Sequence, residues 1–182
     1  MNKPLLLGTV LGAIVLFFWG FFYHGVLPVA EQTLHPFSNE EQITPLIVAG
    51  ATRSGTYLIP NYPSGATAEQ KKAVEERVAK GPTVVAAVRL ESFNFGQTLV
   101  VQFVINLLTA FLLTWLLLVA RPATLAGRSG FLVIVAMAGW AARSLPSWNW
   151  YSFGIDYTIS ELVDLVVGFG LTGLVIGKVV PK

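Results

Sequence analysis

The stretch LVVQFVINLLTAFLLTWLLLVA, residues 99–120, decides the fold class of this chain. It contains no ionisable side chain, and Arg121 follows it directly. About 20 consecutive apolar residues are enough for a helix to cross the hydrocarbon core of a bilayer. We therefore predict a transmembrane helix over about residues 98–120.

A second apolar run, residues 5–23, also contains no charged side chain. A signal peptide is the alternative interpretation, because Lys3 supplies a short basic segment before the run. The run is too long for the apolar part of a signal peptide, however, and the sequence that follows Pro28 makes a poor cleavage site. We expect residues 1–27 to hold a transmembrane helix that is retained.

Two further apolar runs lie closer to the carboxyl end. The run 130–142 ends at Arg143 and is short enough for a re-entrant segment. Because an arginine side chain can snorkel, the run extends to a crossing over 130–146, near the lower limit of about 17 residues. Residues 158–161 form a capping-box pattern, which predicts that a fourth span begins there and covers 159–180.

Residues 28–95 differ from these runs in their mixed composition, and they carry most of the charge of the chain. Capping-box patterns at 38–41 and 67–70 predict two helices. Runs rich in β-branched residues at 56–59 and 83–90, bounded by glycine and proline, predict two strands. The expected order is helix, strand, helix, strand, which indicates a small α+β insert.

The overall composition agrees with a membrane protein. Hydrophobic residues make up 54% of the 182 residues and charged residues only 12%, whereas soluble domains contain about 25% charged residues. The net charge of +2 does not predict nucleic-acid binding. The absence of cysteine excludes disulfides, thiolate catalysis and iron–sulfur clusters. We predict an α-helical membrane protein with four transmembrane helices, in which the α+β insert separates the first helix from a three-helix bundle over 96–182.

The basic residues near the helix ends predict the orientation, because short cytoplasmic loops are enriched in lysine and arginine. With both termini in the cytoplasm, five basic residues lie inside: Lys3, Arg121, Arg128, Lys178 and Lys182. Only Arg143, among the basic residues of the short loops, then lies outside. The insert is expected to be extracytoplasmic, and Trp148, Trp150 and Tyr151 are expected at the outer interface.

Asp164 lies within the fourth apolar run, three residues after Glu161 and on the same helical face. Ionisable groups inside a membrane usually pair with one another, so we expect Arg143 to pair with these two acids and to join two helices. The alternative is a proton or ion path lined by Asp164 and Glu161 in a homo-oligomer. A longer relay would need titratable groups deeper in the span, and none lies between Asp164 and Lys178.

Glycines recur at helical spacing in two of the apolar runs. GFGLTG, residues 168–173, matches the letters of a dinucleotide fingerprint, but it lacks the strand that must precede that motif. Small residues allow transmembrane helices to pack closely. We therefore predict that six glycines form helix-packing faces, namely Gly8, Gly12, Gly168, Gly170, Gly173 and Gly177.

The two histidines are the candidates for a ligand site. His24 lies at the outer end of the first helix, where a single imidazole is able to bind a pigment or a haem iron. Glu31 and His35 lie one helical turn apart, a spacing that allows a metal site, but most zinc sites need three or four ligands. We expect neither site to be occupied, and no cofactor is predicted.

The stretch WNWYSFG, residues 148–154, followed by Thr158, Glu161, Leu162 and Asp164 and then by a glycine-rich helix, resembles an uncharacterised family of small bacterial membrane proteins. Members of that group have one amino-terminal helix, a soluble insert and three further helices. The resemblance covers nearly the whole chain and implies a bacterial inner membrane location. It implies no known activity.

No catalytic constellation is recognisable, because none of the serines lies in a nucleophile-elbow pattern. The leading hypothesis is a non-enzymatic membrane subunit, accessory to a larger complex such as an energy-transducing one. Its expected partners are other membrane subunits or a second copy of the chain, within the lipid bilayer. The two alternatives are a transport module that uses Asp164 and Glu161, and a cofactor-bearing subunit that uses His24.

Overall fold

A computed structural model describes residues 3–181. Most of this part of the chain is helical. Its elements, in chain order, are α1 (Lys3–Phe21), α2 (Val29–Thr33), α3 (Glu40–Gly50), β1 (Gly55–Ile59), α4 (Ala68–Lys80), β2 (Val84–Val88), α5 (Phe95–Ala120), α6 (Leu125–Tyr151) and α7 (Ile155–Val179). A π-helical turn, Phe22–Val26, continues α1.

Four helices among the described residues are long and apolar enough to cross a membrane. They are α1 with its π-helical turn, α5, α6 and α7. The prediction of four helices of spanning length is therefore confirmed. The chain forms two compact units: the first contains the chain up to His35, Asn94–Pro146 and the chain from Gly154 onward, and the second contains Pro36–Phe93 and Ser147–Phe153.

Within residues 28–95, α3, β1, α4 and β2 follow the predicted order of helix, strand, helix, strand, but the short helix α2 precedes them and was not predicted. The two strands are antiparallel, and Gly55 pairs with Val88. At the beginning of α4 the Thr67 hydroxyl accepts from the Gln70 amide, and the Gln70 side chain accepts from the Thr67 amide, so this capping box is confirmed. Gly81 ends α4 with a φ of +64°, a conformation that only glycine adopts at low cost.

The other two capping boxes predicted from the sequence are wrong. α3 begins after Asn39, whose side chain makes no capping hydrogen bond. α7 begins at Ile155, before residues 158–161, and Thr158 lies inside the helix with its hydroxyl donating to the Gly154 carbonyl at 2.8 Å. The helix begins earlier because the Asp156 carboxylate accepts from the Tyr157 amide at 2.7 Å, which satisfies one of its first free donors.

The third long helix extends past both ends of the predicted span 130–146. It begins at Leu125, where the Thr124 hydroxyl accepts from the Gly127 amide at 3.0 Å. Because this hydroxyl satisfies a free amide of the first turn, the helix can begin before the apolar run at residue 130. Pro146 lies inside the helix, which continues to Tyr151.

The core of the first unit is a cluster of buried aliphatic side chains contributed by three helices. Its members are Leu113, Leu117, Leu132, Ile176 and Val180. α1 packs against both α5 and α7. Gly8 lies against Thr114, and Gly12 lies against Ile176 and Ala110, so closely that a Cβ at either glycine would come within 3.0 Å of a neighbouring side chain.

The glycines of α7 lie against two different helices. A Cβ at Gly173 would come within 2.7 Å of the Ser129 Cα, which is backbone of α6 and has no flexible end that can move aside. Gly177 lies against Leu125 and Arg128 of the same helix. The Ser129 hydroxyl donates to the carbonyl oxygen of Gly170 at 2.8 Å, which adds a hydrogen bond to this close helix contact.

Candidate functional site

The end of α1 presents three polar or aromatic side chains to α7. The π-helical turn Phe22–Val26 holds one more residue per turn than an α-helix, and the Leu27 amide donates to the Phe22 carbonyl at 3.1 Å. Trp19, in the last turn of α1, and Tyr23 and His24, in the π-helical turn, all contact α7. Such π-helical turns often occur at functional sites, because the extra residue changes where the side chains are directed.

Asp164 of α7 is the centre of this contact. Its Oδ1 accepts a hydrogen bond from the Trp19 Nε1 at 2.7 Å, and its Oδ2 lies 3.1 Å from the His24 Nε2. The Trp19 Nε1 also lies 3.1 Å from the Asp164 carbonyl oxygen. Hydrogen bonds to a carboxylate are stronger than those between neutral groups. Both carboxylate oxygens are therefore engaged by side chains of the first helix.

His24 keeps one ring nitrogen available. Because a carboxylate accepts hydrogen bonds, the His24 Nε2 carries the proton that faces Asp164, and in a neutral ring the Nδ1 is then an acceptor. The side chain of His24 is 62% exposed, whereas that of Asp164 is 26% exposed. The pair therefore lies at an opening of the helix bundle, with the histidine at the outer position.

Tyr23 fixes the position of the same segment. It is buried, and its hydroxyl donates to the Ser160 carbonyl oxygen at 2.9 Å and lies 3.1 Å from the Ser160 Oγ. The ring of Tyr23 lies 5.4 Å from that of Trp19 and 5.1 Å from that of His24, measured between centroids. The side chains that contact Asp164 are therefore held in place by a partly buried hydrogen bond beside them.

A cavity of about 540 Å³ lies beside Asp164, between α1, α5 and α7. Most of its lining is apolar and aromatic, including Phe17, Phe95, Leu99, Ile105, Leu165 and Phe169. Five polar side chains other than Trp19 also line it: His24, Gln102, Asn106, Thr109 and Asp164. An apolar cavity with a few polar groups is the usual form of a site for a small molecule.

Gln102, Asn106 and Thr109 form the polar part of the α5 wall, and the Thr109 hydroxyl already donates to the Ile105 carbonyl. The Gln102 Nε2 donates to the Asn106 Oδ1 at 3.1 Å, within one helical turn. Asn106 is buried, and no residue among 3–181 accepts a hydrogen bond from its amide nitrogen. The α5 wall of the cavity therefore holds a donor that is available to a ligand.

The contact between the Trp19 indole and α7 requires a residue without a side chain at position 168. It lies one turn after Asp164 on the same face of α7, and a Cβ there would come within 2.9 Å of the Trp19 Cδ1. Without a side chain at this position, the indole can approach α7 closely enough to donate to Asp164. The sequence contains this spacing of Asp164 and Gly168, but its meaning is recognisable only in the structure, where Trp19 lies against both residues.

Arg143 and Glu161 lie near a different side chain. Tyr157 of α7 is hydrogen-bonded to Glu161, and Arg143 of α6 lies near enough to interact with the same tyrosine electrostatically. The predicted pairing of Arg143 with Glu161 and Asp164 stays a prediction. What the structure adds is that the oxygens of Asp164 are engaged from α1.

The second histidine also pairs with an aspartate of α7. The His35 Nε2 lies 3.3 Å from the Asp156 Oδ2, and both side chains are exposed. Glu31 lies in α2 and is exposed. Within residues 3–181 no three side chains of histidine, cysteine, aspartate or glutamate come together as a metal site. The Glu31–His35 site and the His24 cofactor site stay predictions.

Arg128 has a contact that the sequence does not reveal. It was expected at the cytoplasmic end of a helix, but its side chain is buried against the end of α7. Its guanidinium donates to the carbonyl oxygens of Pro122, Gly177, Val180 and Pro181. A cation at this position satisfies free carbonyls and interacts favourably with the helix dipole. Arg128 therefore caps α7.

Trp19 and Tyr23 were also not identified from the sequence. They lie one turn apart, so they share a helical face, and this spacing of two aromatic residues with hydrogen-bonding groups was the available signal.

Comparison of the chain with protein-family models, with curated proteins and with solved structures found no match. The resemblance to a family of small bacterial membrane proteins therefore stays a prediction.

Proposed function

We propose that this chain is a four-span integral membrane protein of a bacterial inner membrane that acts as a non-enzymatic subunit of a larger membrane complex. Both termini lie in the cytoplasm, and the insert lies outside. The partner is another membrane protein or a second copy of the chain, and it contacts the protein through α6.

The exposure of the long helices supports a membrane location. Only 17–28% of the residues in the apolar window of each long helix are buried inside the chain. The remaining apolar surface needs lipid or another protein around it, because contiguous apolar surface of this extent is rare on soluble monomers. Trp148, Trp150 and Tyr151 are exposed together at one end of α6, as expected for residues at a membrane interface.

The observation that carries the subunit proposal is an unused face of α6. Ala138, Gly139 and Ala142 are all exposed, and a Cβ at Gly139 would meet no atom within 4 Å. By contrast, Gly173 and Gly177 of α7 are in close contact with α6. Small residues on a transmembrane helix allow another helix to approach closely. The face of α6 formed by Ala138, Gly139 and Ala142 is therefore suited to a partner helix.

Enlarging one residue on this face tests the proposal. We expect Gly139→Leu to weaken the association at least tenfold, because the longer side chain keeps a partner helix away. Gly130→Leu is the matched control: Gly130 is also exposed with no atom near its Cβ, and nine residues at 3.6 per turn place it about 180° from Gly139. The mass of the complex, extracted from native membranes in mild detergent, is measured by light scattering.

A wild-type protein that runs only as a monomer in detergent and in nanodiscs would overturn the subunit proposal. If Gly139→Leu and Gly130→Leu both associate as strongly as the wild type, the partner does not contact the protein through this face of α6. An intact association of Gly130→Leu, together with loss in Gly139→Leu, supports the α6 face.

The transport hypothesis has one observation in its favour, which is the titratable pair of His24 and Asp164 beside an open cavity. It predicts that wild-type protein in liposomes carries a proton or ion flux and that Asp164→Asn abolishes this flux. If the wild type conducts no more than empty liposomes, the transport hypothesis is wrong. The cofactor hypothesis is tested by the visible absorbance spectrum of the protein purified from its native membrane.

A further inference from the structure

We propose that the cavity between α1, α5 and α7 binds one uncharged amphiphile whose head group carries hydroxyl groups and whose apolar chain extends toward the bilayer. The head lies between the His24–Asp164 pair on one wall and Asn106 on the other. The site goes beyond the subunit role and does not depend on it, because the residues that line the cavity lie in the α1 segment, α5 and α7 and none lies in α6.

The polar groups of the two walls are complementary to hydroxyl groups. The His24 Nδ1 is an acceptor when Nε2 faces Asp164, and the Asn106 amide nitrogen is a donor that no residue among 3–181 uses. A hydroxyl group is both a donor and an acceptor. A head group with two hydroxyls therefore donates to His24 and accepts from Asn106, which satisfies both walls.

The charge of the lining selects against anionic head groups. Among the described residues that line the cavity, Asp164 is the only carboxylate, and none is a lysine or an arginine. A phosphate group would therefore approach a negative charge, and the basic side chain of the lining, His24, already faces Asp164. The two oxygens of Asp164 are already engaged by Trp19 and His24, so a cationic head is not required either. An uncharged head fits these conditions best.

The rest of the lining matches an apolar body. Phe17, Leu99 and Phe169 line the cavity, and a volume of about 540 Å³ is within the usual range for sites that hold a small molecule. Phe95 and Ile105 also line it and are exposed on the outer surface of α5. The cavity therefore opens sideways, in the direction in which an acyl or isoprenoid chain would enter the bilayer.

Two sources of such a ligand share this chemistry, a monoacylglycerol and a membrane quinol, because each carries two free hydroxyl groups. Three short-chain probes distinguish them, added to the full chain in phosphatidylcholine nanodiscs: monooctanoylglycerol, a decyl-benzoquinol kept reduced with ascorbate, and dioctanoyl phosphatidic acid. Binding of radiolabelled probe is measured against empty nanodiscs. We expect at least one of the two uncharged probes to bind saturably, at least tenfold more tightly than phosphatidic acid, and that probe identifies the source.

A variant that fills the cavity tests the location. Gly20 lines the cavity, and a Cβ there would meet no atom within 4 Å. Gly20→Leu is therefore expected to place its side chain in the cavity without a clash and to weaken binding of the uncharged probe at least tenfold. Gly130→Leu, the same change on α6 and away from the cavity, is expected to bind as the wild type does.

A second variant covers the case in which Gly20→Leu does not fold. Ile105→Trp is at the exposed rim on α5 and should block entry with the same loss of affinity. The proposal is overturned if neither uncharged probe binds saturably, if phosphatidic acid binds as tightly as they do, or if a folded Gly20→Leu or Ile105→Trp variant binds like the wild type. None of these results depends on whether the protein associates through α6.

Discussion

Arg128 of α6 and Asp164 of α7 are both charged residues in long apolar helices, but they differ in burial and in the groups that they bind. Arg128 is 4% exposed, and its side-chain hydrogen bonds in the described chain go to three backbone carbonyls at the end of α7 and to the Pro122 carbonyl between α5 and α6. Asp164 is 26% exposed, and it is held by two side chains of α1 beside a cavity. The first arrangement stabilises a helix end, whereas the second leaves polar groups accessible to a ligand. Charge within a span is thus not by itself a sign of function.

The strongest test of this comparison is the removal of the arginine. We expect Arg128→Gln to lower the free energy of unfolding by about 3 kcal/mol, because several buried carbonyls lose their donor. Arg121→Gln is the matched control, since Arg121 is exposed and, among residues 3–181, its side chain donates to the Leu118 carbonyl of its own helix end. Unfolding in detergent micelles is followed by circular dichroism. Equal stability of the two variants would show that Arg128 does not cap α7.

The next effect in size concerns the contact between α6 and α7 that places Arg128 against the end of α7. Gly173→Ala places a Cβ against the Ser129 backbone, so α6 and α7 must separate, at a cost of about 2 kcal/mol. Gly130→Ala, where a Cβ meets no atom within 4 Å, is expected to change stability in the opposite direction, by about 0.5 kcal/mol, because alanine is the better helix former. The same unfolding measurement applies. A neutral Gly173→Ala would mean that the two helices are not in close contact there.

A smaller effect is expected on the Asp164 side. Trp19→Phe keeps an aromatic ring but removes the Nε1 donor, so the carboxylate loses a hydrogen bond and the protein loses about 1 kcal/mol of stability. Trp115→Phe, an exposed tryptophan of α5, is expected to change stability by less than about 0.5 kcal/mol. If both substitutions have the same effect, the bond to Asp164 does not stabilise the protein. Asp164 would then differ from Arg128 in its contribution to stability as well as in its exposure.

The smallest effect concerns an exposed carboxylate, that of Glu91. A hydrogen bond from the Ser54 hydroxyl, with further backbone hydrogen bonds and the charge of Arg89, lowers the pKa of Glu91 from its ordinary value. The lowered pKa means that this contribution to stability is present above the unfolded-state pKa and is lost as the pH falls through the folded-state pKa. We expect Ser54→Ala to raise the pKa of Glu91, measured by carboxyl carbon NMR of the full chain, with Ser64→Ala as the control. An unchanged Glu91 titration would contradict this account.

Much of the fold was predictable because its signals are local. Each of the four long helices contains an apolar run that is readable in a short window, and Thr67 caps α4 through a residue three positions away. The errors also lie where local signals compete. Residues 38–41 and 158–161 have the letters of a capping box, but α3 begins without a side-chain cap and α7 begins earlier, where Asp156 satisfies an amide.

The candidate site was predictable only in part. Asp164 and His24 are recognisable as ionisable groups in or at the end of an apolar run, but nothing in the sequence indicates that they meet. Their contact spans 140 positions along the chain, and the bond from Trp19 to Asp164 spans 145. Such contacts depend on which face of α1 meets α7, and Gly12, Gly168 and the π-helical turn together determine that face.

The amino-acid sequence by itself determined that four helices of spanning length exist and that a small α+β insert separates the first from the rest, because hydrophobicity, capping and turn residues act over a few positions. Only the tertiary structure decided what each charged residue does. A guanidinium and a carboxylate in similar apolar surroundings became a helix cap and the wall of a cavity, because burial and hydrogen-bond partners are set by the packing of distant helices.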